Sequence, residues 1–194
     1  MSIERLVTKI KKGVLTAKLK RNNIDISGWG KEGTKSVDHL LKEISTGESR
    51  VTETGGIIRN RAIRRSARVA CVEVVHRKNG EDLILHEDRQ EFGDGGIRKR
   101  ETGVSVCEKI KRKEDPREAA YRGVAEELGI RGPVYIDDQG VDSEEKDSLS
   151  YPGLTTSFCY HRFRVWIDRN QYREEGYQEV QKDKTTYFVW KKLD

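Results

Sequence analysis

Glu126 and Glu127 are adjacent carboxylates, and Arg122 precedes the first of them by four residues. On a helix, that spacing places Arg122 and Glu126 one turn apart, close enough for an ion pair. Carboxylates exchange protons and bind hard cations, so residues of these types admit acid–base or metal chemistry. A solvated surface is the competing reading. One helix must position them, and the sequence marks both its ends. Asp115 suits the N-cap, Pro116 the first helical position, and Glu118 completes a capping-box pattern. Ala120, Val124 and Leu128 repeat every four residues as an apolar stripe. Gly129 supplies a left-handed stop.

The 194 residues suffice for one domain with a real core and an extension. The charged fraction of 37% exceeds the hydrophobic fraction of 34%, so the core is modest, yet periodic segments exclude a disordered chain. A net charge of +5 and a pI near 9.0 favour anionic partners such as phosphates, nucleotides or RNA without choosing among them. Cys71, Cys107 and Cys159 are far apart and form no CxxC pair, which argues against a zinc site or a disulfide framework. The N-terminus lacks an apolar signal-like run, and no stretch approaches membrane-spanning length. A soluble, cytoplasmic or otherwise intracellular protein is expected, with no membrane partner.

Residues 1–23 are basic, and GVLTAKLK within them alternates like a short strand. Val37, Leu40, Leu41 and Ile44 have helical spacing, ended by Gly47. Before that helix, Gly28-Trp29-Gly30-Lys31-Glu32-Gly33 formally reads GxGxxG and nearly a P-loop. Thr34 occupies the lysine position, and Lys35-Ser36 arrive one residue late. The segment reads instead as a glycine turn with Trp29 as a packing anchor. The organisation expected is a basic N-terminal extension over 1–58, an arginine-rich connector over 59–65 and a main domain over 66–194.

The main domain opens with the β-branched strand ARVACVEVVHRK, turns at Asn79-Gly80 and returns through DLILHEDR. His76 and His86 read as ordinary strand residues. Further extended segments run from Ile97 to Ile110. After the helix, Pro133–Ile136 reads as a strand, DDQGVDSEEKDS as an exposed acidic loop, and TTSFCYHRFRVWI as a long strand. Asn170 to Val180 reads as a short irregular or helical connection, and TTYFVWKKL closes the sheet. Phe158, Tyr160, Phe163 and Trp166 belong to the core before any base-stacking surface.

Glu114 lies eight residues before Arg122, and R-G-V-A-E-E-L-G-I follows from Arg122. Residues 108–130 resemble the Nudix box, G-x5-E-x7-R-E-U-x-E-E-x-G-U, where U is a bulky aliphatic residue. Glu114, Arg122, Val124, Glu126, Glu127, Gly129 and Ile130 fill their positions, seven of nine. Glu108 stands where the family has its first glycine, and Gly123 where it has its first helix glutamate. The resemblance covers about residues 66–192 and implies an α/β (α+β) fold, a Nudix-like α/β/α sandwich with a mixed sheet.

By the same resemblance the chain is a Mg2+- (or Mn2+-) dependent pyrophosphohydrolase of a nucleotide-like diphosphate substrate. Glu126, Glu127, Arg122 and Glu114 are the implied catalytic residues. Residues four apart share a helix face, so Gly123 removes the carboxylate that would pair with Glu127 on one cation. Glu126 and Glu127 diverge by about 100°. Glu108, in the segment that packs against the helix in relatives, is the expected replacement beside Glu126 and Glu127 as metal ligand. Lys109, Lys111, Arg112 and Lys113 are candidates for receiving the diphosphate, and Glu144 or Glu145 for the general base. The alternative is a catalytically inactive Nudix fold that binds nucleotide, RNA or a protein through its basic face.

Overall fold

The computed structural model describes residues 3–31, 33–54, 62–99 and 103–193. Gly55-Gly56 and the first part of the arginine-rich connector lie outside them. In chain order the elements are α1 (Ile3–Arg21), α2 (Val37–Thr46), β1 (Arg50–Thr54), β2 (Ala62–Lys78), β3 (Glu81–Phe92), β4 (Ile97–Arg98), β5 (Val106–Lys109), α3 (Pro116–Leu128), β6 (Tyr135–Asp147), β7 (Thr155–Trp166), β8 (Tyr177–Val180) and β9 (Lys184–Lys192). The α/β class expected from the sequence is the class observed. The chain divides into two compact units, and β2, β6 and β7 run from one into the other.

The first unit comprises residues 1–68, 111–113 and 143–159. Leu15 and Leu19 of α1, Leu40 of α2, Ile63, Trp29, Tyr151 and Leu154 form its core. Helix α2 begins where Ser36 accepts a hydrogen bond from the His39 N–H, and it ends at Gly47 in the left-handed region. Trp29 is buried in the glycine turn and donates its indole N–H to the Pro152 carbonyl, as expected of an anchor. Antiparallel to β1 runs the first part of β2, with Val51 opposite Arg65. There the Arg65 guanidinium donates to Glu43 at 2.8 Å, with side chains 4% and 6% exposed. Ser49 and Lys35 also donate to that carboxylate, at 2.8 Å each. A charge so deeply buried is tolerable because Arg65, Ser49 and Lys35 all donate to it.

The second unit comprises residues 69–110, 114–142 and 160–194. Asn79 and Gly80 both have positive φ and close the β2–β3 hairpin, pairing Lys78 with Glu81. Strand β3 then pairs along its length with β9, and β9 with β8. On β2, residues Val69–Val72 take β5 as their antiparallel partner. Val72, Val74, Leu85, Phe163, Val165 and Phe188 build the core against the buried face of α3.

Three expectations are corrected. GVLTAKLK is helical, inside α1, because Leu15 and Leu19, four apart, face the core together, and Ala, Leu and Lys favour helix. The acidic stretch after Ile136 is strand, within β6. Its charges are answered by cations: Arg162 of β7 bonds Asp142 in the second unit, and Arg64 of β2 bonds Glu145 in the first. Charged side chains are common on edge strands and do not disqualify a segment as strand. Tyr177–Val180 is a strand rather than an irregular connection. Gly176, at φ +84°, lets the chain press against β9, where an added Cβ would lie 2.0 Å from the Phe188 carbonyl oxygen.

Candidate functional site

Helix α3 starts and stops where its sequence punctuation requires, although the Asp115 carboxylate caps through the Arg117 N–H and not through the Glu118 N–H that a capping box would use. The Asp115 carboxylate accepts from the Arg117 N–H at 2.8 Å, Pro116 follows, and Gly129 ends the helix at φ +67°. Glu118 sits in the first turn, where its charge suits the helix N-terminus. The stripe Ala120, Val124 and Leu128 is buried, widened by Ala119 and Gly123. Two bonds fix the helix to the chain that leaves it: Arg117 donates to the Ile136 carbonyl at 2.8 Å and Tyr121 to the Val134 carbonyl at 3.2 Å.

Arg122 is the hub of the site. Its Nε and Nη2 grip both oxygens of Glu114 at 2.9 and 3.0 Å, and Nη2 also donates to the Lys109 carbonyl at 2.9 Å. Nη1 lies 2.8 Å from Glu108 and 3.6 Å from Glu126. The i,i+4 pair with Glu126 is therefore present, but it is the longest of these contacts. Forked donation to Glu114 ties the start of the box segment to its helix, and the bond to Glu108 ties in strand β5. The paired carboxylates hold the guanidinium even more firmly protonated than usual.

Gly123 has a steric reason. A Cβ built there would lie 2.9 Å from the Glu108 Cβ and 3.0 Å from a Val106 methyl carbon. Strand β5 has come so close that no side chain fits on the helix at that point. The two positions at which residues 108–130 differ from the Nudix-box pattern, Gly123 and Glu108, thus face each other. The helix lacks a side chain where the facing strand supplies one, and that one is a glutamate.

A cavity of about 390 Å³ opens beside this contact, lined by Glu87, Glu108, Glu126, Glu127 and Glu179 among others. Lys184 is the cation that its described lining contains. Thr186, 2% exposed, lines it as well, and its hydroxyl has no hydrogen-bond partner among the described residues. The Glu127 carboxyl is pushed up to about 8, first by burial and then by the charges of Glu179 and Glu108. Crowded anionic oxygens of this kind hold protons until a cation neutralises them.

Glu108, Glu126 and Glu127 thus line one cavity, and Arg122, itself gripped by Glu114, is ion-paired to the first two of them. Lys109 is not among the lining residues. Lys111, Arg112 and Lys113 cluster with the first unit, where Gly47 leaves room for the Arg112 backbone. Glu144 and Glu145 are exposed strand residues of the first unit, paired with Lys146 and Arg64. Sequence reasoning did not single out Glu87, Glu179, Lys184 or Thr186. A trace was present in β9, where Lys184 and Thr186 alternate in step with buried Phe188 and must share its face.

No protein-family model matches the chain, and no curated protein matches it. Among solved structures it is similar to Ap4A hydrolase of C. elegans, 13% identical over 66% of this chain and 80% of that one, with a TM-score of 0.39. It is also similar to the NUDIX domain of Shewanella oneidensis NrtR complexed with ADP ribose, 10% identical over 66% and 73%, TM-score 0.41. DR0079 from Deinococcus radiodurans is a further match, 16% identical over 64% and 65%, TM-score 0.38.

Proposed function

We propose that the chain is a Nudix-like hydrolase of a diphosphate linkage in a nucleotide-type substrate, dependent on Mg2+ or Mn2+. The observation that carries this reading is the convergence of Glu108, Glu126 and Glu127 on one cavity, with Arg122 clamping Glu108 and Glu114. The donor set suits a hard divalent cation, since it is made of carboxylate oxygens. Among the described residues, no group of three His, Cys, Asp or Glu side chains is already drawn together around one point. Substrate phosphates and water would complete the shell, as Mg2+ sites commonly require.

Glu127, Glu126 and Glu108 would hold the cation, which when bound neutralises charge developing on the phosphate oxygens. Lys184 would meet a phosphate oxygen inside the cavity, and Lys109, Lys111, Arg112 and Lys113 would add positive charge that attracts a polyphosphate. In the reaction, water oxygen bonds to phosphorus, the bridging P–O bond breaks, and the water proton passes to a carboxylate. Glu179 and Glu87, both lining the cavity, are the candidates for accepting it. In this reading residues 66–194 carry the activity, and 1–58 with the connector 59–65 form an appended extension.

A screen of nucleoside diphosphate sugars, dinucleoside polyphosphates, ADP-ribose and capped RNA, with and without Mg2+, tests the proposal. Turnover should require the metal and fall at least about 100-fold in Glu127→Gln. No turnover, or equal rates in the two proteins, removes the hydrolase reading. A second reading, favoured by the net charge of +5, is an inactive fold that binds nucleotide, RNA or a protein through its basic face. Binding of RNA whose affinity falls steeply with salt, without turnover, would support it.

A further inference from the structure

Helix α1 has two apolar faces, and the core of its unit uses one. Leu15 and Leu19 are buried, whereas Leu6, Val7, Ile10 and Val14 are 45%, 43%, 57% and 65% exposed. Ala17 is exposed too. At 100° per residue these five lie within an arc of about 100°, a continuous apolar stripe along the helix. Lys9 and Lys20 border it on one side and Lys11 on the other, next to Lys18, whose ammonium is taken up by the Val51 carbonyl and Glu53. Over its 19 residues the helix carries seven Lys or Arg against the single Glu4.

Charge and length decide what fits this ridge. A second copy of the helix would set lysine rows against lysine rows in either orientation. A heterotypic coiled coil is poorly served, because such a seam needs at least three to four heptads and 19 residues supply fewer. RNA would answer the lysines and leave the aliphatic stripe in water. An anionic bilayer answers both: aliphatic side chains enter the headgroup boundary while flanking lysines reach lipid phosphates and carboxylates. We propose that α1 docks the protein, lying flat, on a membrane surface rich in anionic lipid. The expectation of no membrane partner rested on spanning length, and a surface-lying helix needs none.

The test is co-sedimentation of the whole protein with phosphatidylcholine vesicles containing about a third phosphatidylserine, beside neutral vesicles. The protein should sediment with the anionic vesicles alone, and less as NaCl rises from about 0.1 to about 0.5 M. Ile10→Ser/Val14→Ser should abolish binding without shifting the thermal melt, since both side chains are already in water. Replacing Lys9, Lys11 and Lys20 by Gln should weaken binding roughly fivefold per lysine. Absence of vesicle binding overturns the proposal. So does equal binding to neutral vesicles, or a dimer in ultracentrifugation that Ile10→Ser/Val14→Ser converts to monomer.

Discussion

Gly123 and Glu108 face each other across the α3–β5 contact with no room for a second Cβ between them, since one added to Gly123 would lie 2.9 Å from the Glu108 Cβ. The helix has no side chain where the strand presents a carboxylate-bearing one. Gly123→Ala should therefore destabilise the protein by about 1–3 kcal/mol through overpacking. That loss would exceed the helix-propensity gain of up to about 1 kcal/mol. Urea unfolding followed by far-UV circular dichroism measures it, and a stabilised variant would contradict the close approach.

This facing of the two positions also predicts a rescue. Gly123→Glu alone should be strongly destabilised, whereas Gly123→Glu/Glu108→Gly gives the Nudix-box residue at both positions and relieves the clash with the Glu108 side chain. The double variant should recover stability beyond the sum of its single changes, by about 1–3 kcal/mol of coupling. Where hydrolysis is measurable, it should turn over at least as fast as the parent. Strict additivity in a double-mutant cycle would mean that the two positions do not share space.

Arg122 holds Glu114, Glu108 and the Lys109 carbonyl from one guanidinium. Lysine can serve one of these partners but not the fork, so Arg122→Lys should remain folded yet loosen the β5–α3 corner. The expected loss is about 1–3 kcal/mol, since the groups are partly exposed and buried-pair values overstate them. Faster amide exchange at Lys109–Glu114, with the rest of the unit unchanged, is the specific readout.

The folded-state carboxyl of Glu127 titrates at about 8, against an ordinary 4.5, because burial and nearby carboxylates penalise its charge. The folded chain thus holds a proton that the unfolded chain has released. Its contribution is fully present below pH 4.5, falls as pH rises through the window from 4.5 to about 8, and is gone above it. Glu127→Gln, which cannot ionise, should flatten that decline and be the more stable protein near pH 8. Mg2+ should have a parallel effect on the parent, raising its melting temperature at pH 8 and leaving Glu127→Gln unmoved. A parent stability that does not fall over this window would refute the raised Glu127 carboxyl.

In the first unit, Glu43→Ala would leave Arg65 buried without its carboxylate. The expected cost is about 3–5 kcal/mol. Replacing both residues by apolar ones of similar size should recover most of it, as denaturant unfolding of the single and double variants would show.

Much of α3 was determined by the sequence alone. Its cap at Asp115, its start at Pro116, its stop at Gly129 and its apolar stripe depend on residues within one or two turns of each other, so local chemistry decides them. The Asn79-Gly80 hairpin and the Trp29 anchor were legible for the same reason. Alternation misled in α1, where the distance between Leu15 and Leu19 mattered more than their neighbours' polarity. It was overridden in β6, whose charges find cations on strands remote in sequence. The meaning of Gly123 was not legible, because a missing side chain reads as a lost ligand until the strand that occupies its place is known. Glu87, Glu179, Lys184 and Thr186 were equally hidden, since β3, β8 and β9 join the cavity only through sheet pairing. Box spacing determined which carboxylates leave the helix. Only the tertiary structure decided that Glu108 stands where Gly123 has none, because that outcome depends on how closely β5 packs on α3.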